Sequence, residues 1–238
     1  MIFKKDDLLN FVKKASLNGS IESFNMDFKE EGIFSCVKGL SNLTMTRTFL
    51  PAENVEGYEV LGELYIRNTL RIIKYMKSFV ETITLTREDE HVIRLEEEER
   101  EIYMILAAES GCENIYRGDA LKIPIDVEFK LNKTDLISPL KDMNDLAVDR
   151  IAFDLQGDTC RIEVGDKDET DMLITKVCVD NIKGKNARVV VGDLVKSVIT
   201  SLDKEFTLEY ATNSPLRIRE EINGLLFSCV IGPIVEYK

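Results

Sequence analysis

Apolar positions along this chain follow two spacings in turn, a helical one and a strand one, and the order in which they alternate is written twice. Leu8, Leu9, Phe11, Val12 and Ala15 give one apolar helix face over Asp6 to Ser16, with Asp6 placed as the N-cap and Lys13 and Lys14 at the C-terminal end, where the helix dipole accepts cations. Strict alternation follows over Phe24 to Phe28, then a turn at Glu30-Glu31-Gly32, then strands over Ile33 to Val37 and Leu43 to Phe49. Asn68 to Ser78 returns to helical spacing through Leu70, Ile73 and Met76. Strands over Ile83 to Thr86, His91 to Leu95 and Glu101 to Ala107 close the first half.

Glu109 to Pro124 breaks both periods with Ser110, Gly111, Asn114, Gly118, Asp119 and Pro124. After it the pattern restarts: a strand at Val127 to Leu131, helices near Thr134 to Asp145 and Gly192 to Leu202, and a strand through Glu205-Phe206-Thr207-Leu208. An internal repeat of this size marks a duplicated α+β domain, each copy with two helices packed on antiparallel sheets. The expected division is 1–109, a connecting loop over 110–124, and 125–238. Pro139 falls inside the third helix at a cost of about 3 kcal/mol, so that helix is expected to start late or to be distorted.

With 238 residues, each half is large enough to bury its own core. The five cysteines are scattered without the close spacing of a metal knuckle or redox pair, and read as buried thiols of a reducing compartment. No apolar run reaches the roughly 20 residues of a membrane span and no N-terminal leader pattern is present, which gives the expectation of a soluble intracellular protein. No nucleophile elbow, phosphate-cradling loop or zinc-hydrolase pattern occurs. Asp166, Asp168 and Thr170 begin like a calcium loop but lack its central glycine and terminal glutamate, so no metal and no cofactor is expected. Glu96 to Glu99 reads as a solvated acidic turn, and His91, the single histidine, as a surface residue.

A net charge of −12 argues against phosphate binding until the placement of the charges is considered. Arg67, Arg71, Lys74 and Lys77 recur every three or four residues along the second helix, a basic stripe with no acid in it.

Glu30 to Ser35, Thr69 to Thr86, Leu121 to Pro124, and Ser214 to Ile218 with Gly224 to Pro233 form four stretches that, in this order, resemble the DNA sliding clamps of archaea and eukaryotes, the proliferating cell nuclear antigen (PCNA) family. The resemblance implies a non-enzymatic processivity factor for DNA replication and repair, in which three chains close head to tail into a ring around duplex DNA. Lys13, Lys14, Arg71, Lys74 and Lys141 match the family's inner basic positions; Arg67, Lys77, Lys133 and Lys196 are added on helix geometry. The family's subunit junction matches Glu101 to Ala107 and Met172 to Val179, with Ile102, Met104 and Leu106 set against Leu173, Ile174 and Val177.

Its docking site for short peptides of polymerase, clamp loader, nuclease and ligase corresponds to Leu40, Leu43, Leu121, Ile123, Pro215, Ile231, Gly232 and Pro233. Two departures bear on that site: Lys38 stands where the family often has methionine, and Phe227-Ser228-Cys229-Val230-Ile231-Gly232-Pro233 replaces its closing aromatic pair and Ala-Pro. The resemblance implies an intracellular location with DNA, in the nucleoid or cytoplasm of a prokaryote or the nucleus of a eukaryote. Alternatives are a subunit of a heterotrimeric or checkpoint-type clamp, which unequal edge strands allow, and an acidic-site hydrolase, which a deep pocket with convergent carboxylates would support.

Overall fold

The computed structural model describes residues 1–39, 43–112, 114–118, 121–166 and 171–234. The first half consists of β1 (Ile2–Lys4), α1 (Lys5–Ala15), β2 (Ser23–Lys29), β3 (Gly32–Lys38), β4 (Thr44–Pro51), β5 (Val55–Glu56), β6 (Gly62–Arg67), α2 (Thr69–Met76), β7 (Thr82–Arg87), β8 (Val92–Glu97) and β9 (Arg100–Ile105). The second consists of β10 (Val127–Asn132), α3 (Thr134–Asp145), β11 (Arg150–Gln156), β12 (Thr159–Val164), β13 (Leu173–Cys178), β14 (Asn186–Gly192), α4 (Leu194–Ser201), β15 (Glu205–Tyr210), β16 (Leu216–Ile222) and β17 (Leu225–Ile231).

The repeat extends to strand order. In the first half β4, β3, β2 and β6 lie side by side in that order and β5-β1-β7-β8-β9 form a five-stranded sheet; in the second, β13-β12-β11-β14 form a four-stranded sheet and β10, β15, β16 and β17 lie in order. Apart from the short extra β5, each strand of one half has its counterpart in the other at the same place in its sheet. Two compact units result, Met1–Gly118 with Glu221–Phe227, and Asp119–Glu220 with Ser228–Lys238.

Each unit buries its own core. In the first, Phe3, Leu8, Phe11, Val12, Phe24, Ile33 and Ile83 are fully buried, and α1 packs on β4 and α2. In the second, Phe129, Leu136, Met143, Phe153, Ile162, Val195 and Leu208 are, with α3 on β12 and β13. Alternation in β15 puts Phe206 and Leu208 inside, and Tyr210 meets Phe129 edge-on at 6.0 Å.

Three local expectations are corrected. α1 begins at Lys5, so Asp6 lies within its first turn and makes no N-cap bond; there its carboxylate complements the dipole. In α2 the buried positions are Thr69, Ile72, Ile73 and Met76, whereas Leu70 lies 66% exposed beside Gly19. Of the two outcomes expected for α3 the late start is the one that does not occur: the helix runs from Thr134 through Pro139, whose ring is buried along with Leu136 and Met143.

The turn at Glu30-Glu31-Gly32 joins β2 to β3, and Gly32 has a φ of +148° with a Cβ there only 2.2 Å from the Leu50 carbonyl oxygen. Gly32→Ala is therefore expected to cost about 2–4 kcal/mol, measured by denaturant unfolding, since backbone strain and a backbone clash act together. At the tip of the β16–β17 hairpin Asn223 and Gly224 both have positive φ, the two-residue turn whose twist suits the flanking strands. Asn54 Nδ2 donates to the Asn223 carbonyl at 2.6 Å within the first unit.

Candidate nucleic-acid interface and partner surfaces

α2 carries the strongest basic face. Burial of Ile72, Ile73 and Met76 leaves Arg71, Lys74 and Lys77 exposed together on the opposite side. Arg71 lies over the Tyr75 ring at 5.2 Å from its centroid and its Nε donates to the Tyr75 hydroxyl, so the guanidinium is held out from the helix in one orientation. Arg67 ends β6, exposed, with its guanidinium against Gly111.

The remaining basic candidates divide by environment. Lys13 is half-buried on α1 and Lys141 exposed on α3. Lys14 departs from the expectation of a phosphate contact: it is 1% exposed, with its ammonium 5.5 Å from the centre of the Phe227 ring. The α1 face it occupies is the one that packs inward. Lys133 also departs, since its Nζ donates to the carbonyls of Thr200, at 3.1 Å, and Leu202. A cation satisfying the last carbonyls of α4 is engaged in holding that helix end. Lys196 donates to Asn144 Oδ1 at 2.8 Å, bridging α4 to α3.

The acidic end of β8 has a task that sequence reasoning missed, Glu96 and Glu97 lying in the strand and only Glu98 and Glu99 in the turn. Glu97 accepts three consecutive backbone N–H groups, from Val80 at 2.6 Å, Glu81 at 2.7 Å and Thr82 at 2.8 Å, and Arg100 donates to the Ser78 carbonyl at 2.8 Å. The end of β8 and the start of β9 thus grip the chain that leaves the basic helix. Those three bonds hold the Glu97 carboxyl below its ordinary value of 4.5. A lowered folded value means that the stabilisation is complete above the ordinary range and is lost as pH falls below 4.5 through the folded value. Amide exchange at Val80, Glu81 and Thr82, corrected for its intrinsic pH dependence, is expected to accelerate selectively over that window.

Val80, Glu81, Thr82, Thr84, Glu96, Glu97 and Glu98 line a surface cavity of about 620 Å³. Its central carboxylate is spent on backbone amides. Among the described residues no group of three or more His, Cys, Asp or Glu could hold a metal ion. His91 is exposed. Asp168 and Thr170 of the calcium-like stretch lie outside the described residues.

The connecting segment is knitted to the first unit at its start. Ile115 bridges Val37, Lys38 N–H donates to the Asn114 carbonyl at 2.7 Å and Tyr116 N–H to the Cys36 carbonyl at 2.9 Å. Arg117 Nη2 reaches Glu63 at 2.9 Å, Glu109 at 2.6 Å and the Tyr65 hydroxyl at 2.8 Å, and Arg47 Nη2 donates to the Gly118 carbonyl at 3.2 Å. Lys38 sits over the Tyr116 ring, 4.8 Å from its centre. The adjacent aromatic and basic residues Tyr116-Arg117 were the available sequence signal for this anchorage.

Of the proposed peptide-docking residues, Leu40 lies outside the described residues and Leu43 is 58% exposed in the first unit. In the second unit Leu121 is exposed, and Ile123, Pro215, Gly232 and Pro233 are half-buried, with Pro233 bridged to Val191. Ile231 is corrected to a core position: it shares the inward face of β17 with Leu225, Phe227 and Cys229 and is 1% exposed. Of the cysteines, Cys112, Cys160 and Cys229 are buried, Cys36 half-buried and Cys178 exposed, and burial pushes the Cys160 thiol up to about 12.

β9 and β13 each end a sheet. On β9 the spacing was legible but the exposed face is the other one: Met104 and Leu106 are buried and Ile102 half-buried, whereas Tyr103 is 61% and Ile105 82% exposed. The inward residues pack on the sheet's own core. On β13 Leu173 and Ile174 are exposed and Val177 half-buried. Among the described residues no helix is long and apolar enough to cross a membrane.

A twice-repeated unit with this strand order and these helices is a DNA clamp fold, and over its whole length the chain has the PCNA-type form of it. It is similar to the PCNA of A. fulgidus, solved with the C-terminal region of FEN-1 bound, at 20% identity and a TM-score of 0.82, covering 100% of this chain and 98% of that one. The PCNA of Entamoeba histolytica matches at 13% identity and a TM-score of 0.84 over 98% of each chain. A chain of the PCNA2-PCNA3 complex of Sulfolobus tokodaii matches at 15% identity and a TM-score of 0.77, over 98% of this chain and 99% of that one. No protein-family model and no curated protein matches the sequence.

Proposed function

We propose that this protein is a DNA sliding clamp, a non-enzymatic processivity factor that encircles duplex DNA and tethers replication and repair proteins. The observation that carries the reading is the likeness to clamp structures over 98–100% of the chain at TM-scores of 0.77 to 0.84. The exposed basic face of α2 supplies the chemistry. Arg71, Lys74 and Lys77 are long and phosphate-directed, and the one aromatic beside them, Tyr75, is engaged by the Arg71 guanidinium, so they grip the backbone without sequence preference and permit sliding. Lys13 and Lys141 are the supporting contacts; Lys14 and Lys133 serve the fold.

On this reading residues 110–124 connect two clamp domains, and β9 of one chain meets β13 of the next in a three-chain ring in the DNA-containing compartment. Leu43, Leu121, Ile123, Pro215, Gly232 and Pro233 receive docking peptides of polymerase, clamp loader, nuclease and ligase, a role supported by the FEN-1 segment bound to the A. fulgidus protein. A second reading, one subunit of a heteromeric clamp, draws on the likeness to the S. tokodaii PCNA2-PCNA3 complex. The test is polymerase extension on primed circular DNA with a matched polymerase and loader. Longer products per binding event support the clamp; no stimulation, with the protein alone or mixed with other clamp subunits of the same source, overturns it.

A further inference from the structure

One face of the β3–β4 pair in the first unit carries two cations and no acid to answer them. Phe34, Cys36 and Lys38 share the half-buried face of β3, while Ile33, Ser35 and Val37 are buried on the other. In the antiparallel register Cys36 stands opposite Arg47 and Lys38 opposite Met45. Lys38 and Arg47 are therefore diagonal neighbours, about 7–8 Å apart at the backbone and close enough for their long side chains to reach a common point. The next rung, Phe34 against Phe49 with ring centres 4.5 Å apart, is apolar.

The acids nearby are already matched. Asp27 of β2 pairs with Lys29 at 2.8 Å, and Arg117 takes Glu63 of β6 at 2.9 Å and Glu109 at 2.6 Å. Among the described residues neither Lys38 nor Arg47 has a carboxylate partner. The Lys38 ammonium rests on the Tyr116 ring, whose place is fixed by the Tyr116 N–H bond to the Cys36 carbonyl, and its three donors stay available. Arg47 gives Nη2 to the Gly118 carbonyl at 3.2 Å, while its Nε is buried with no hydrogen-bond partner among the described residues. A buried charged donor left unmade is costly, so an acceptor brought to it is favoured. Burial raises the Cys36 thiol above its ordinary value of 9.0, and the two charges that act on it, Arg47 and Lys38, are both positive.

We infer that Lys38 and Arg47 form a carboxylate-receiving subsite, and that the peptides docking on this surface carry an Asp or Glu beside an apolar anchor. An ammonium and a guanidinium donating to one carboxylate make charge-assisted bonds stronger than neutral ones. The apolar surface beside them is Leu43, 58% exposed and two residues before Met45, the residue opposite Lys38. A free anion or a duplex phosphate would answer the cations and leave Leu43 bare; a peptide segment bearing both groups covers both. On a chain of net charge −12 such a peptide is repelled by most of the remaining surface, which adds discrimination to the attraction. The inference rests on the peptide-docking surface proposed above and deepens it by naming the chemistry of the peptide.

The test selects binders to the full-length protein from a random peptide library displayed on phage, then titrates one selected peptide by fluorescence anisotropy. The selected peptides are expected to share an acidic residue at a fixed spacing from an apolar one. Replacing that acid by the corresponding amide should weaken binding about tenfold. Lys38→Met and Arg47→Gln should each erase the preference for the acid, and Lys38→Glu should instead prefer the peptide with lysine in the acid's place, a reversal that a damaged surface would not produce. Equal binding of the acid and amide peptides overturns the subsite, as does displacement of the acidic peptide by linear duplex, which would place it on α2. Polymerase stimulation that persists beside either result leaves the clamp reading standing. Peptides indifferent to Leu43→Asp, or no enriched peptide at all, overturn the docking surface together with the subsite. Failure of stimulation under every condition removes the clamp reading itself.

Discussion

Arg71→Glu combined with Lys74→Glu is expected to abolish most DNA retention while leaving the assembly whole. Both side chains are exposed on the face of α2 opposite Ile72, Ile73 and Met76, so neither substitution disturbs the core. In a ring of three chains the pair represents about six phosphate contacts, and their loss should flatten the slope of log affinity against log salt by about 5. Affinity at low salt should fall by about 100-fold or more, since reversal adds repulsion to the lost attraction. Lys14→Met is the matched control: it removes a charge that packs over Phe227 in the first unit and should leave the salt slope unchanged. Binding titrations on linear duplex over a range of salt, with light scattering to follow assembly, separate the outcomes. Loss of the oligomer in the α2 variant would mean those residues hold the structure instead of the DNA.

Tyr103→Ala with Ile105→Ala is expected to do the reverse, dissolving the ring while leaving each chain folded. The side chains are 61% and 82% exposed in the single chain, so truncating them takes little from its core. If β9 is covered by a neighbour, each truncation forfeits about 1.5–3 kcal/mol of apolar burial per junction. Together they weaken a junction by roughly 10²- to 10⁴-fold in dissociation constant. Sedimentation at micromolar concentration should then find single chains with an unchanged far-ultraviolet circular dichroism spectrum, and polymerase stimulation should disappear. An intact oligomer would show that assembly uses another surface.

The duplication was legible because each half repeats a change of hydrophobic period, and periodicity survives where residue identity has drifted to the 13–20% seen against clamp structures. Placement of single side chains was less so. Leu70 and Ile72 both satisfy a helical spacing in α2, and only packing against its neighbours decides that Ile72 goes inside. On β9 two faces are apolar, Ile102 and Met104 against Tyr103 and Ile105, so alternation alone could not say which one the chain covers.

Lys14 and Lys133 looked like their neighbours in sequence but are consumed by Phe227 and by the end of α4, partners 213 and 69 residues away in the chain. Such long-range contacts leave no local signature. Nor did the three amides held by Glu97, which read as an idle acidic turn until β8 and the end of α2 were brought together. The basic stripe of α2 was the opposite case, since spacing along one helix fixes which charges share a face.

Solution mass measured by light scattering across protein concentration tests the ring most directly. The account requires a species of three times the 27.1 kDa chain mass that persists through the micromolar range. A single-chain mass at every concentration, for the wild-type protein alone, would contradict a ring closed by copies of this chain.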